Sequence, residues 1–183
     1  MKIQYLILAV LSLSGLSAPE RYARPAQIIL VRHADKPLDP ADPHLSPAGV
    51  ERAKRLATFL ATDPSMIKYG SPVAIFATQT TKHDDGQRTQ ETMVPLARKL
   101  GLQVQTPFLG KEYGALARMI LSGSQYSGKT IVVCWNHETL PELAAALGVN
   151  PMPRKWKGAV FDQVYVITYA ASGKAELRVL RYQ

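Results

Sequence analysis

The sequence predicts an α/β protein: a three-layer α/β/α sandwich built on a mostly parallel sheet. Three observations predict it. Short apolar runs alternate with segments of helical periodicity. The first run, IILV, leads straight into Arg32 and His33, and further polar clusters follow two later runs. The carboxyl ends of parallel strands share one sheet edge, which is where open α/β sheets bind ligands.

Residues 1–18 stand apart from this alternation. Lys2 makes a short basic start, Ile3 to Leu16 is apolar, and Gly15, Ser17 and Ala18 are small, the layout of a secretory signal. The apolar stretch is shorter than the roughly 20 residues of a membrane span. The expectation is a signal peptide over residues 1–18 and one domain over 19–183. The protein is then exported, periplasmic or extracellular, and meets a membrane only if the signal stays uncleaved.

The first strand covers residues 28–31, and the proline-rich stretch from Asp35 to Leu45 is a loop. A helix follows, with Ser46 as cap, Pro47 at its first position and Leu45 stapling onto Val50. Val50, Ala53, Leu56, Ala57, Leu60 and Ala61 form its apolar face, and Pro64 ends it. Residues 73–77 are a second strand. A polar loop, Thr78 to Gln87, precedes a helix over 89–100 that Pro95 kinks or splits. A short strand is expected at 102–105, a helix at 113–121 and a buried strand at 130–135. Thr139 and Glu142 suggest a capping box for a last helix, ended by Gly148. Residues 164–169 and 175–180 read as a terminal hairpin turning at Ser172-Gly173.

Composition limits the partners. The chain has 183 residues and a net charge of +8; residues 1–18 contribute only Lys2, so the remainder carries +7. A basic balance favours anionic partners without choosing among them. Neither an aromatic sheet motif nor zinc spacing points to nucleic acid, and no Walker-type glycine loop is present. The one cysteine, Cys134, sits in the apolar run IVVCW. It forms no internal disulfide and is expected to be a buried structural thiol.

The chemistry is expected where three clusters meet: Arg32-His33 after the first strand, Arg88 in the loop after the second, and Asn136-His137-Glu138 after the buried strand at 130–135. Two arginines and two histidines around one point make an oxyanion site, and phosphate suits two bidentate guanidinium forks. Such a site supplies its own positive charge and needs no metal or cofactor. Residues 154–157 (RKWK) either hold a negatively charged substrate or headgroup, or form a solvated basic loop with Trp156 turned inward, the reading favoured here. His44 and His83 are expected to be ordinary surface residues.

VRHADK, at residues 31–36, resembles the opening Arg-His-Gly signature of the histidine phosphatase superfamily. Arg88-Thr89-Gln90-Glu91-Thr92 resembles its second-arginine segment. VVCWNHETLPELAAALG resembles its strand, second histidine and following helix. The three occur in the family's order across about residues 27–170. The resemblance implies a phosphoglycerate mutase-like fold and a metal-independent phosphomonoester hydrolase acting on a phosphorylated substrate. His33 would carry a covalent phosphohistidine, Arg32 and Arg88 would hold the phosphoryl oxygens, and His137 would stabilise developing charge. Glu112 matches the mutase-type acid and is favoured as proton donor; Glu138 matches the acid phosphatase branch, and Asp35 is a third candidate. Ala34 departs from the signature glycine, and Lys82, His83, Asp84 and Asp85 lengthen the loop before Arg88. A phosphoglycerate-type mutase and a catalytically weak anion-binding protein of the same fold remain as alternatives.

Overall fold

The computed structural model describes residues 24–81, 86–170 and 172–182. Residues 1–18, read as a signal segment, and Lys82, His83, Asp84 and Asp85 lie outside the described residues.

Six strands form one sheet: β1 (Gln27–Arg32), β2 (Pro72–Phe76), β3 (Val104–Gln105), β4 (Thr130–Trp135), β5 (Gln163–Tyr169) and β6 (Ala175–Arg181). Their order is β3-β2-β4-β1-β5-β6. β1, β2, β3 and β4 run parallel, β5 is antiparallel to β1, and β6 returns antiparallel to β5. Four helices, α1 (Pro47–Thr62), α2 (Gly86–Leu100), α3 (Tyr113–Ser122) and α4 (Leu140–Ala146), cover the two faces.

The period-two alternation of side chains decides which helix covers which face. Ile29 and Val31 of β1 and Val132 and Cys134 of β4 pack with Leu56, Leu60, Met93 and Leu96 from α1 and α2. Ile28, Leu30, Ile131, Val133 and Trp135 pack on the other face with Leu116, Ile120, Leu140 and Leu143 from α3 and α4. Both faces are therefore apolar, and β1 and β4 are buried along their whole length. Burial pushes the Cys134 thiol pKa up, as expected of a structural thiol.

The connection after β1 leaves by the α1 face, and the one after β4 leaves by the α4 face. The gap between these neighbouring strands is thus a topological switch point, the usual location of a ligand crevice.

Several local expectations differ from the structure. Val50 is 42% exposed, and Leu45 packs instead with Ala34 and Ala53. α1 meets the loop after β1 through Gly49 and Ala53 and the sheet through Leu56, Ala57 and Leu60, a stripe turned away from Val50. α2 starts at Gly86 and runs through Pro95 to Leu100 as one helix. Its tertiary packing on β4 outweighs the one backbone bond that a proline removes. Thr139 makes no side-chain cap, so the capping box does not form; Pro141 lies in the first turn of α4, and the Glu142 Oε2 atom is buried without a partner. The Ser46 cap does form, accepting from the Gly49 amide at 3.0 Å.

Ser46 also ties α1 to the loop after β1. Its amide and hydroxyl both donate to the Asp35 carbonyl, at 3.0 and 3.2 Å. Gly49 permits this approach, since a Cβ there would lie 2.2 Å from the same oxygen. Gly49→Ala should therefore cost about 1–3 kcal/mol by overpacking. The check is a lower urea midpoint at unchanged m-value.

Candidate active site

Parallel pairing places Arg32 opposite Trp135, so the residues leaving β1 and β4 emerge side by side. Arg32 is 4% exposed and His33 7% exposed, both at the sheet edge. His33 Nδ1 lies 2.7 Å from the Ala34 carbonyl oxygen, which can only accept. The proton therefore sits on Nδ1 and leaves Nε2 with its lone pair. Burial, reinforced by the charges of Arg32, Arg88 and His137, pushes the His33 pKa down to about 4. The ring is neutral at physiological pH, with the Nε2 lone pair free.

Several contacts fix Arg32. Its Nη1 donates to the carbonyls of Gly158 at 2.5 Å and Val160 at 3.3 Å. The Phe161 ring lies against its guanidinium, 3.9 Å from Cζ to centroid. Nη2 donates to His137 Nδ1 at 3.3 Å. Its Nε is buried without a partner among the described residues. Burial pushes the Arg32 pKa down to about 10, which still leaves it charged at neutral pH.

His137 joins the pair, with ring centroids 6.4 Å apart and edge-on to His33. Glu138 Oε2 also lies 3.5 Å from His137 Nδ1. The two neighbours of Nδ1 make opposite demands, because Arg32 needs an acceptor there and Glu138 a donor. The arginine contact is satisfied with the ring proton on Nε2, the glutamate contact with a proton on Nδ1. Burial and the charges of Arg32, Lys36 and Lys155 push the His137 pKa down, with Glu138 opposing.

Arg88 lies in the first turn of α2 and not in the loop expected from sequence. It is 4% exposed, and its charge is felt at His33. Part of its fork holds the backbone of the preceding loop: Nη2 donates to the Asp42 carbonyl at 2.6 Å and Nε to that of His44 at 3.3 Å.

The three carboxylates expected as candidate acids sit in different surroundings. Asp35 is committed to Arg52, at 2.5 and 3.3 Å. Glu138 is largely exposed beside His137. Glu112 is exposed and accepts from the Leu109 amide at 2.8 Å. Its short 3-10 turn (Gly110–Glu112) is pinned to the end of β4, with Trp135 Nε1 donating to the Gly110 carbonyl at 2.8 Å.

Sequence reasoning missed the residues that hold these groups in place. Thr92 Oγ1 accepts from the Ala34 amide at 2.9 Å and donates to the Arg88 carbonyl at 2.7 Å, joining α2 to the backbone beside His33. Thr89 likewise joins α2 to the chain just beyond β2, bonding Thr78 through its hydroxyl. The Thr89/Thr92 spacing on a helix carrying Arg88 was the available signal. Phe161 gave none, because it lies in irregular chain. His44 lies on the surface, as expected, where it pairs with Glu91 at 2.5 Å, and Glu91 also accepts from the Leu45 amide. Ala34 is accommodated where the signature has glycine, since no non-glycine residue described has a positive φ.

Solved structures share this fold. The protein histidine phosphatase SixA, solved with tungstate, is similar at a TM-score of 0.56 and 15% identity, over 85% of this chain and 96% of that one. Alpha-ribazole phosphatase from Shigella flexneri gives 0.59 at 16% identity, over 85% and 96%. The mycobacterial glucosyl-3-phosphoglycerate phosphatase, solved with inorganic phosphate, gives 0.53 at 17%, over 86% and 96%. No family model and no curated protein sequence matches the chain. The fold is that of the histidine phosphatase superfamily, phosphoglycerate mutase-like, as the three sequence segments imply.

The His33 pKa makes stability pH-dependent. Unfolded histidine takes up its proton near pH 6.5 and buried His33 only near pH 4. Between these values the unfolded chain binds more protons. The His33 contribution is then fully present above pH 6.5 and lost as pH falls toward 4, with a slope of up to about 1.4 kcal/mol per pH unit. Urea midpoints from pH 7 to 4 should fall more steeply for the wild type than for His33→Asn.

Proposed function

We propose that the protein is a metal-independent phosphomonoester hydrolase that works through a phosphohistidine on His33. The observation that carries this reading is the bond from His33 Nδ1–H to the Ala34 carbonyl, which leaves Nε2 unprotonated beside a buried guanidinium. The neighbours solved with tungstate and with inorganic phosphate, both tetrahedral oxyanions, support the same occupant here.

Nε2 attacks phosphorus, the P–Nε2 bond forms and the ester P–O bond breaks. Arg32, through its unpartnered Nε, and His137, through Nε2–H, stabilise charge on the phosphoryl oxygens. Arg88 adds positive potential from the α2 side. The leaving oxygen takes a proton from a carboxylic acid, Glu112 in preference to Glu138, because an unprotonated alkoxide departs poorly. Water then attacks phosphorus, the P–Nε2 bond breaks, and the same carboxylate accepts the water proton. Inorganic phosphate leaves and His33 is restored. The leader-like residues 1–18 support placing this activity outside the cytosol, which disfavours a mutase acting on a cytosolic substrate.

A catalytically weak anion-binding role is the second reading. It draws on the exposed carboxylates, one capping its own 3-10 turn and the other lying beside His137, and on the Arg88 fork held by backbone carbonyls.

An aryl phosphate, with its good leaving group, separates the readings, since hydrolysis there needs little help from an acid. The enzyme should turn it over, and His33→Ala should abolish turnover together with an acid-labile phosphoenzyme seen by mass spectrometry. Retained turnover in that variant rules out the covalent route. Arg88→Ala should lower kcat/KM by an amount equivalent to about 2–4 kcal/mol, as for a lost oxyanion donor. On an alkyl phosphate, Glu112→Gln should be severely impaired and Glu138→Gln much less so; the reverse order would reassign the acid.

A further inference from the structure

The basic residues at 154–157 are not used by the chemistry at His33. Arg154, Lys155 and Lys157 are exposed, and none makes an ion pair among the described residues. With Arg181 they line a groove of about 420 Å³ that has no acid in its lining and includes Leu177 and Val179. Trp156 fixes the run from beneath: it is buried, packs at a tilt of 49° on Tyr165 with ring centroids 4.8 Å apart, and donates from Nε1 to the Val160 carbonyl at 2.9 Å. The three cations therefore stay outward and close together, a repulsive arrangement that an anion would relieve.

This groove is joined to the reacting centre by its own backbone. The Gly158 carbonyl, one residue beyond Lys157, receives the Arg32 Nη1 bond. Gly158 also lies against His137, since a Cβ there would come within 3.4 Å of His137 Nε2. Lys155 lines a second cavity, about 340 Å³ at the start of α4, together with Glu138, whose carboxylate lies 3.5 Å from His137. Lys155 thus stands between the cationic groove and the His137 side of the pocket.

We infer that residues 154–157, centred on Lys155, form a second anion subsite, and that the substrate is a phosphomonoester bearing at least one further negatively charged group. The inference rests on the phosphatase reading of His33. Proximity to His137 favours a group on the substrate itself over a lipid headgroup, which would have no reason to sit beside the reacting centre.

The test compares kcat/KM for a hexose bisphosphate with that for the matching monophosphate. Each exposed charge pair contributes little, so two or three together give a preference of about tenfold for the bisphosphate. The preference should lie in KM, shrink with added salt, collapse toward unity in Lys155→Ala and persist in Lys155→Arg. A ratio near one in the wild type, or a ratio that survives both Lys155→Ala and the Arg154→Ala/Lys157→Ala double variant, overturns the inference. A ratio near one with capture of the protein by anionic phospholipid vesicles overturns it in favour of a headgroup site. If the wild type hydrolyses not even an aryl phosphate, the phosphatase reading fails instead. Calorimetric binding of the same two hexose phosphates to the wild type and to Lys155→Ala then decides the subsite by the same ratio.

Discussion

A single hydrogen bond, from His33 Nδ1–H to the carbonyl of the next residue, sets the chemistry of this site. A free imidazole exchanges its proton between two nitrogens and is half protonated near pH 6.5. Here the carbonyl accepts only, so the proton stays on one nitrogen and the lone pair on the other. Burial at the end of a wholly buried strand holds the ring neutral. The backbone that supplies the carbonyl is itself secured, by Thr92 at the Ala34 amide and by Ser46 at the Asp35 carbonyl. The orientation of His33 thus depends on α1 and α2, which lie on the opposite face of the sheet from α3 and α4.

Around this imidazole the protein gathers positive charge with little to balance it locally. Arg32 is held by carbonyls and an aromatic face, not by a carboxylate. Carbonyl dipoles and a ring quadrupole orient a guanidinium while leaving its charge available, whereas a paired carboxylate would cancel it. The unpartnered Nε carries a desolvation cost on the order of 1–3 kcal/mol in the protein alone. Such local costs are expected where function, not stability, decides the residue. Asp35 shows the contrast: it lies two residues from His33 but is taken up by Arg52. It secures the loop instead of entering the pocket.

The segment between α4 and β5 has two roles in this arrangement. Inward, Gly158, Val160 and Phe161 fix Arg32, and Phe161 also sits edge-on to His33 at 6.2 Å. Outward, the same segment presents its lysines and Arg154 to solvent. Trp156 separates the two by filling the core beneath. One irregular stretch therefore sets both the orientation of Arg32 and the charge pattern of the surface beside it.

Sequence alone determined the layer architecture, because apolar runs buried on both faces leave helices no other place to pack, and Arg32-His33 and His137 followed from parallel strands ending together. The Ser46 cap was legible too, being a local choice between a hydroxyl and a backbone amide. Tertiary structure decided what depends on contacts distant in the chain. Val50 is exposed because the rotation of α1 follows the close approach of Gly49 to Asp35. α2 passes through Pro95 because packing outweighs one lost bond, and this carries Arg88 into a helical turn. The Gly158 carbonyl acts on a residue 126 positions away, Phe161 on the same arginine from still farther along the chain and Thr92 on Ala34, and no periodicity records such a partner. Spacing reveals which side chains share an edge, whereas the orientation of each is set by whatever the folded chain places against it.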